Sequence, residues 1–227
     1  MNKKLIYFIL GWLLMLLGLL ISVTVFVSNY LISIFIVIIG LITCVFHYFE
    51  RKSIVVEKIV LISLLSAISS VGRIIFSSIP SVQPSSFIIM MAGLTFGKEI
   101  GLMTGVITAV ASNLILGQGP WTPWQMFLWG SMGLLTAILR KQLMQNKFFI
   151  IIYGFLWGFL FGWIMNLWYI AGYMHDISIK VFIAACISSF YFDLAHGVSN
   201  VLLLIFAKDQ MLLILNRINI KYKINKF

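Results

Sequence analysis

The chain has 227 residues, of which 62% are hydrophobic and 10% charged, with 16 Lys and Arg against 6 Asp and Glu. Its mean hydropathy is +1.08. A soluble domain of this size has no way to hide so much apolar surface, so the composition indicates an integral membrane protein and excludes the soluble classes.

The chain opens on MNKKLIYFILGWLLMLLGLLISVTVFV. This apolar run is too long for a signal-peptide core, and no small-residue cleavage pattern follows it, so it reads as a retained transmembrane helix. Eight apolar segments follow one another at about 5–27, 30–48, 54–77, 86–97, 99–116, 124–140, 148–172 and 179–207, a pattern of long helices with no strand-like alternation. Threading them alternately from a cytoplasmic N-terminus leaves only Arg73 and Lys180, of the sixteen Lys and Arg, on the outer side. That bias places both termini in the cytoplasm. The basic charge is then explained by topology and anionic lipid, and needs no nucleic-acid partner.

The cluster ERK (Glu50 to Lys52) separates the first two segments from the other six. The front pair is almost wholly apolar and reads as an accessory hairpin over residues 1–52. A six-helix core then covers 53–210, and a basic cytoplasmic tail covers 211–227. Segment 86–97 is too short to cross a hydrocarbon layer of roughly 30 Å, and such a segment persists at membrane depth only where protein or a water-filled cavity covers its ends. The preceding loop, SSIPSVQPSSF, holds Pro80 and Pro84 and a run of serines around Gln83. Between the fifth and sixth segments stands GQGPWTPWQM, with two Trp, two Gln, two Gly, two Pro and no charge. By the topology above both loops lie on the outer face, where they predict a cavity that opens outward. Glycines at four-residue spacing (Gly93, Gly97, Gly101 and Gly105; Gly154, Gly158 and Gly162) predict close helix packing.

The chemistry-bearing residues are few. The chain has no phosphate-binding G-x-x-x-x-G-K-[ST] loop, no H-E-x-x-H, no Cys/His metal spacing and no G-x-S-x-G elbow. Cys44 and Cys186 both lie in apolar segments and read as small packing residues. No metal, cofactor or catalytic centre is therefore expected. Asp193, His196 and Asn200, in YFDLAHGVSN, fall on one face of the last core segment. Arg73 is the other intramembrane charge, and such groups face a cavity or a partner. Arg73 is expected to pair with Asp193, either directly as a structural clasp or across a bound ligand. Asn113, Asn166 and Gln125 are further polar groups within spans. Gln118, Trp121, Trp124 and Gln125, braced by Pro120 and Pro123, offer pre-ordered aromatic faces and amides to a large organic ligand.

GRIIFSSIPSVQPSSFIIMMAGLTFG followed by SNLILGQGPWTPWQMFLWGSMG resembles the substrate-binding S component of an energy-coupling factor (ECF) vitamin transporter. The resemblance covers about 54–207 and leaves the front hairpin outside. It implies a non-enzymatic subunit that captures a vitamin from outside. It also implies partners: a transmembrane scaffold subunit and two ATPases in the same bilayer. Two outer loops, here Ser78 to Ser86 and Gly117 to Pro123, would cap the site. The family's small-residue docking face would fall on Ser63, Ala67 and Val71 of SLLSAISSVG, or in another phase on Ser66 and Ser70; Val71 departs from the pattern. The Trp-bearing loop and Arg73 look most like members assigned to cobalamin or related corrinoids, with riboflavin, thiamine, folate and a queuosine-type precursor as alternatives. Two other classes compete: a membrane enzyme using Asp193 and His196 as an acid–base pair, and a structural membrane protein for which Trp121 and Gln125 would be interface anchors.

Overall fold

A computed structural model describes residues 3–24, 36–37, 39–40, 43, 56–174 and 178–224. The expected second span, 30–48, lies largely outside the described residues, as do Cys44 and the Glu50–Lys52 cluster. Among the described residues the chain is all helix and turn, without strands. Its helices are α1 (Lys3–Thr24), α2 (Val56–Ile75), α3 (Pro84–Phe96), α4 (Lys98–Leu116), α5 (Thr122–Ile138), α6 (Arg140–Gln145), α7 (Lys147–Tyr173), α8 (Ile179–Phe206) and α9 (Lys208–Tyr222). Four stretches are long and apolar enough to cross a bilayer: Val56–Ser78, Lys98–Leu116, Lys147–Tyr173 and Ile179–Phe206. The protein is a multi-pass, all-α membrane protein.

The centre of the bundle is α3. Its 13 residues span only about 20 Å at 1.5 Å per residue. Every residue from Ser85 to Phe96 is buried, because α2, α4, α5, α8 and α9 all pack on it. A short helix is tolerated here because protein, not lipid, surrounds it. Pro84 begins α3, where its missing N–H costs nothing. Gly97 ends it with φ 89°, a backbone conformation open to glycine, and α4 starts at once. The α4–α5 crossing is tighter still. A Cβ on Gly133 would strike the backbone of Gly101, and one on Gly105 would strike that of Trp129. The glycine spacing thus marks a true close approach.

The connections 76–83 and 117–121 lie together at one end of the bundle, called the upper end below. The lower end is basic. There Arg140 Nε donates to the Leu94 carbonyl at 2.7 Å, and Asp209 lies 2.9 Å from Lys208 and 3.6 Å from Lys147. The Lys208 hydrogen bond, then the charge of both lysines, holds the Asp209 carboxyl below the usual carboxylate range. Two helices had no counterpart among the expected segments. One is α6, a single short turn of helix. The other is α9, which crosses the boundary drawn at 210 and buries Leu212 and Leu215, so most of the expected basic tail lies in a packed helix.

The long helices α7 and α8 form a hairpin against one side of the bundle. Gly158 lies against the backbone of Gly197, and Gly162 against the Asp193 carboxylate. Of the front pair, α1 rests on α5 and α7. Trp12 stacks on Phe127 with ring centroids 5.6 Å apart, and its Nε1 donates to Ser131 Oγ at 3.0 Å. Gly40, one of the few described positions of the second span, lies directly against the backbone of Gly11 and Met15.

Candidate functional site

A polar network at the upper end is organised around Arg73, one turn from the end of α2. Its Nη1 donates to Ser112 Oγ at 2.6 Å and to Asn113 Oδ1 at 2.5 Å, both on α4. The guanidinium carbon lies 4.9 Å from the centroid of a Trp129 ring on α5, a cation–π distance. Asn113 is fully engaged. Its Nδ2 donates to Thr122 Oγ1 at 2.9 Å and to Gln125 Oε1 at 2.7 Å. Thr122 in turn donates to Gln118 Oε1 at 2.8 Å, and Gln118 Nε2 donates to the Val110 carbonyl at 2.9 Å. The loop is therefore tied to both helices that it joins. Gly119 lets it close, because a Cβ there would run into the Trp121 ring.

The loop presents Trp121 toward α7, where it meets Trp168 edge-on with centroids 5.8 Å apart. Trp168 continues to Tyr169 and Tyr173, making an aromatic group at the upper end of α7. Trp124, by contrast, is a core side chain, only 5% exposed. Deeper in the bundle, Trp129 Nε1 donates to Ser86 Oγ at 3.2 Å, and Ser86 Oγ lies 2.8 Å from His196 Nε2. The His196 ring also packs edge-on against Phe161. Gln83 joins α3 to α8 through its backbone N–H, 3.5 Å from Ser199 Oγ, and its Oε1 accepts from Ser85 at 3.4 Å.

A second polar cluster lies between α7 and α8. Asn166 Nδ2 donates to Ser189 Oγ at 2.9 Å, and Ser189 Oγ donates to Asp193 Oδ2 at 2.9 Å. The expected direct Arg73–Asp193 pair is not formed. Asp193 turns toward Ser189 and Gly162, while Arg73 turns toward α4. Asn200 is also set apart, donating to the Gly154 carbonyl at 2.9 Å as a fastener of the hairpin. The predicted common face of Asp193, His196 and Asn200 is buried as a unit, but its members serve different neighbours. Two apolar cavities of about 600 and 560 Å³ lie on the hairpin, around Phe159 and Trp163. They offer almost no polar group to orient a ligand, so the polar network is the better candidate site.

Ser112, Trp168 and, in the separate cluster between α7 and α8, Ser189 escaped the sequence reading, and Ser86 and Thr122 entered it only as parts of the two capping loops. Ser86 and Thr122 each lie within or beside a Pro-bearing polar stretch, and Trp168 within NLWYIAGY, where four aromatic or amide groups cluster in one span end. Ser112 and Ser189 carried no local signal, since hydroxyls on apolar helices usually bond back to their own backbone. On the outside of α2, Ser63, Ala67 and Val71 are exposed, whereas Ser66 and Ser70 face α4 and donate to the Thr104 and Thr108 carbonyls at 3.4 Å.

The fold is thus a multi-pass helical bundle with a braced polar cluster beneath its end loops. The comparison with known families names the class further. The profile described as "ECF transporter, substrate-specific component" matches residues 57–207, more than half of the chain, and the chain belongs to that family. It is thus a substrate-binding transport subunit and not an enzyme, in a family that works with ECF scaffold and ATPase subunits. No curated protein and no solved structure matches the chain.

Proposed function

We propose that the chain captures a vitamin from the outer side of the cell membrane, with both termini in the cytoplasm, and hands it to a scaffold subunit driven by two ATPases. The observation that carries this reading is the Arg73–Asn113–Gln125 network, held by hydrogen bonds directly under the 117–121 loop. Such a network supplies pre-oriented donors and acceptors, and the loops over it act as the lid. A corrinoid is the first candidate substrate. The aromatic series Trp121, Trp168 and Tyr173 is suited to a large ring, and amides such as Gln125 to its amide arms. Riboflavin, thiamine, folate and a queuosine-type precursor follow. For partner docking, the outward-facing row Ser63, Ala67 and Val71 on α2 is the proposed surface, since its small side chains allow a second helix close.

Calorimetric titration of the purified protein in detergent with cyanocobalamin tests the reading. Saturable submicromolar binding near one-to-one is expected, with ATP-dependent uptake in proteoliposomes only when scaffold and ATPases are added. Uptake by this chain alone would contradict the division of labour. Silence toward cyanocobalamin, with saturable binding of another vitamin in the same cell, would move the substrate and keep the role.

A further inference from the structure

Arg73 is held in a way that leaves one edge of its guanidinium open. The Nη1 nitrogen has two hydrogens, and Ser112 and Asn113 accept both. Among the described residues Nε and Nη2 make no hydrogen bond. These two nitrogens form the side-on fork that fits the paired oxygens of a carboxylate or phosphate. The guanidinium carbon sits 4.9 Å from the centroid of a Trp129 ring, and the acceptors of Nη1 are held in turn. Ser112 donates to the Thr108 carbonyl at 2.7 Å, and Asn113 is tied to Thr122 and Gln125.

Among the described residues the charge of Arg73 is also uncompensated. Among the described residues no carboxylate lies within 4 Å of it. Glu57 is at the lower start of α2, Glu99 at the lower start of α4, and Asp209 beside Lys208. Asp193, which lies within the bundle, is engaged by Ser189. A half-buried cation at membrane depth is costly without an anion, and neutral Ser and Asn acceptors orient it without neutralising it.

Building on the capture role, we propose that Arg73 is the anion receptor of the site and that the substrate carries a carboxylate or phosphate seated on its Nε–Nη2 edge. Ser112 and Asn113 are then positioning residues rather than ligand contacts. The Nε2 of Gln125, which has no partner among the described residues, is the adjacent donor for a further ligand oxygen.

The test uses matched probes that differ in the anionic group: pantothenate against pantothenol for a carboxylate, and riboflavin 5′-phosphate against riboflavin for a phosphate monoester; cyanocobalamin against dicyanocobinamide, which lacks the phosphodiester together with the rest of the nucleotide, is a coarser third pair. Each is titrated calorimetrically into wild type, Arg73→Lys and Arg73→Gln in the same nanodiscs. In one pair the anionic member is expected to bind wild type at least about tenfold tighter than its counterpart. Arg73→Gln is expected to abolish that preference, and Arg73→Lys to keep part of it, since a lysine supplies charge without the fork. The responding pair identifies the anion. Should Arg73→Gln fail to fold, the partial loss in Arg73→Lys carries the test. Tight binding of an uncharged member equal to that of its partner, or a preference that survives Arg73→Gln, overturns the anion receptor and leaves the capture role standing. No saturable binding by any of these probes, nor by thiamine, folate or a queuosine-type precursor, to protein with a sharp unfolding transition, overturns both.

Discussion

The bundle around α3 and the α7–α8 hairpin solve the same problem, packing helices in lipid, by different means. Around α3 the longest polar chains each cross three helices, from Arg73 through Asn113 to Gln125, and from Trp129 through Ser86 to His196. In the hairpin, glycines bring the two backbones together, and the polar contacts stay within the two helices: Asn200 to Gly154, and Asn166 through Ser189 to Asp193. The hairpin also turns a broad apolar face outward, with Leu156, Ile187, Tyr191 and Phe206 all exposed. The difference teaches that the hairpin keeps its polar contacts between two helices in glycine-close contact, whereas the proposed site gathers donors and acceptors from α2, α4 and α5.

The contrast is broken most severely at the glycines. Gly133→Val drives a side chain into the Gly101 backbone, and such overpacking costs about 3 kcal/mol. Thermal unfolding in detergent should show a lower, broader transition and loss of ligand binding. Gly158→Val should open the hairpin against Gly197 at similar cost, yet leave the Arg73 network assembled. As a control, Gly172→Ala meets nothing within 4 Å and should be neutral to slightly stabilising.

Next in size is Asn113→Leu. It removes the acceptor that orients Arg73 and leaves Gln125 and Thr122 without their donor. Breaking a buried hydrogen bond to a charged group costs about 1.5–3 kcal/mol. Ligand affinity, measured by calorimetry, should fall about ten- to a hundredfold, a larger proportional loss than the drop in unfolding temperature suggests. Ser86→Ala is smaller. It orphans the Trp129 N–H and the His196 Nε2 contact for about 1 kcal/mol, and should lower stability with only a modest change in affinity.

Much of this plan was legible in the chain. Seven of the eight apolar segments correspond to α1–α5, α7 and α8 within a few residues at each end, because long apolar runs admit little else in a membrane; the second, 30–48, lies largely outside the described residues. The shortness of α3 was visible too, since Pro84 and Gly97 bound it. Arg73, Asn113 and Gln125 stood out as polar groups among apolar neighbours. The direct pairing was not legible. Helical phase says which residues share a face, but not which neighbour that face meets, so of the two expected arrangements the direct Arg73–Asp193 contact is absent, and Asp193 lies instead in the gap left by Gly162 on α7. The helix α9 was missed for a related reason. Its apolar positions, such as Leu212 and Leu215, are interleaved with Asn216, Arg217, Asn219 and Lys221, and only its packing against α3 and α8 reveals an inner face.

The smallest expected effect on stability falls on the outside of α2. Ala67 is exposed there, and Ser66 and Ser70, one position away in phase, already face α4. Ala67→Leu therefore adds apolar bulk where nothing in the chain opposes it, and unfolding temperature should shift by no more than the usual surface change, about 0.5 kcal/mol. Vitamin binding by the isolated protein should also be unchanged, since the substitution touches neither the Arg73 network nor the 117–121 loop. If α2 presents this row to the scaffold subunit, a leucine between two closely packed helices should abolish co-purification with the scaffold and with it ATP-dependent uptake. Ser66→Leu is the counterpart that sharpens the comparison. The same bulk one position earlier points into α4, so it should destabilise the fold itself. Retained assembly in Ala67→Leu would place docking elsewhere, and the exposed side of α2 would then be lipid-facing surface like that of the hairpin.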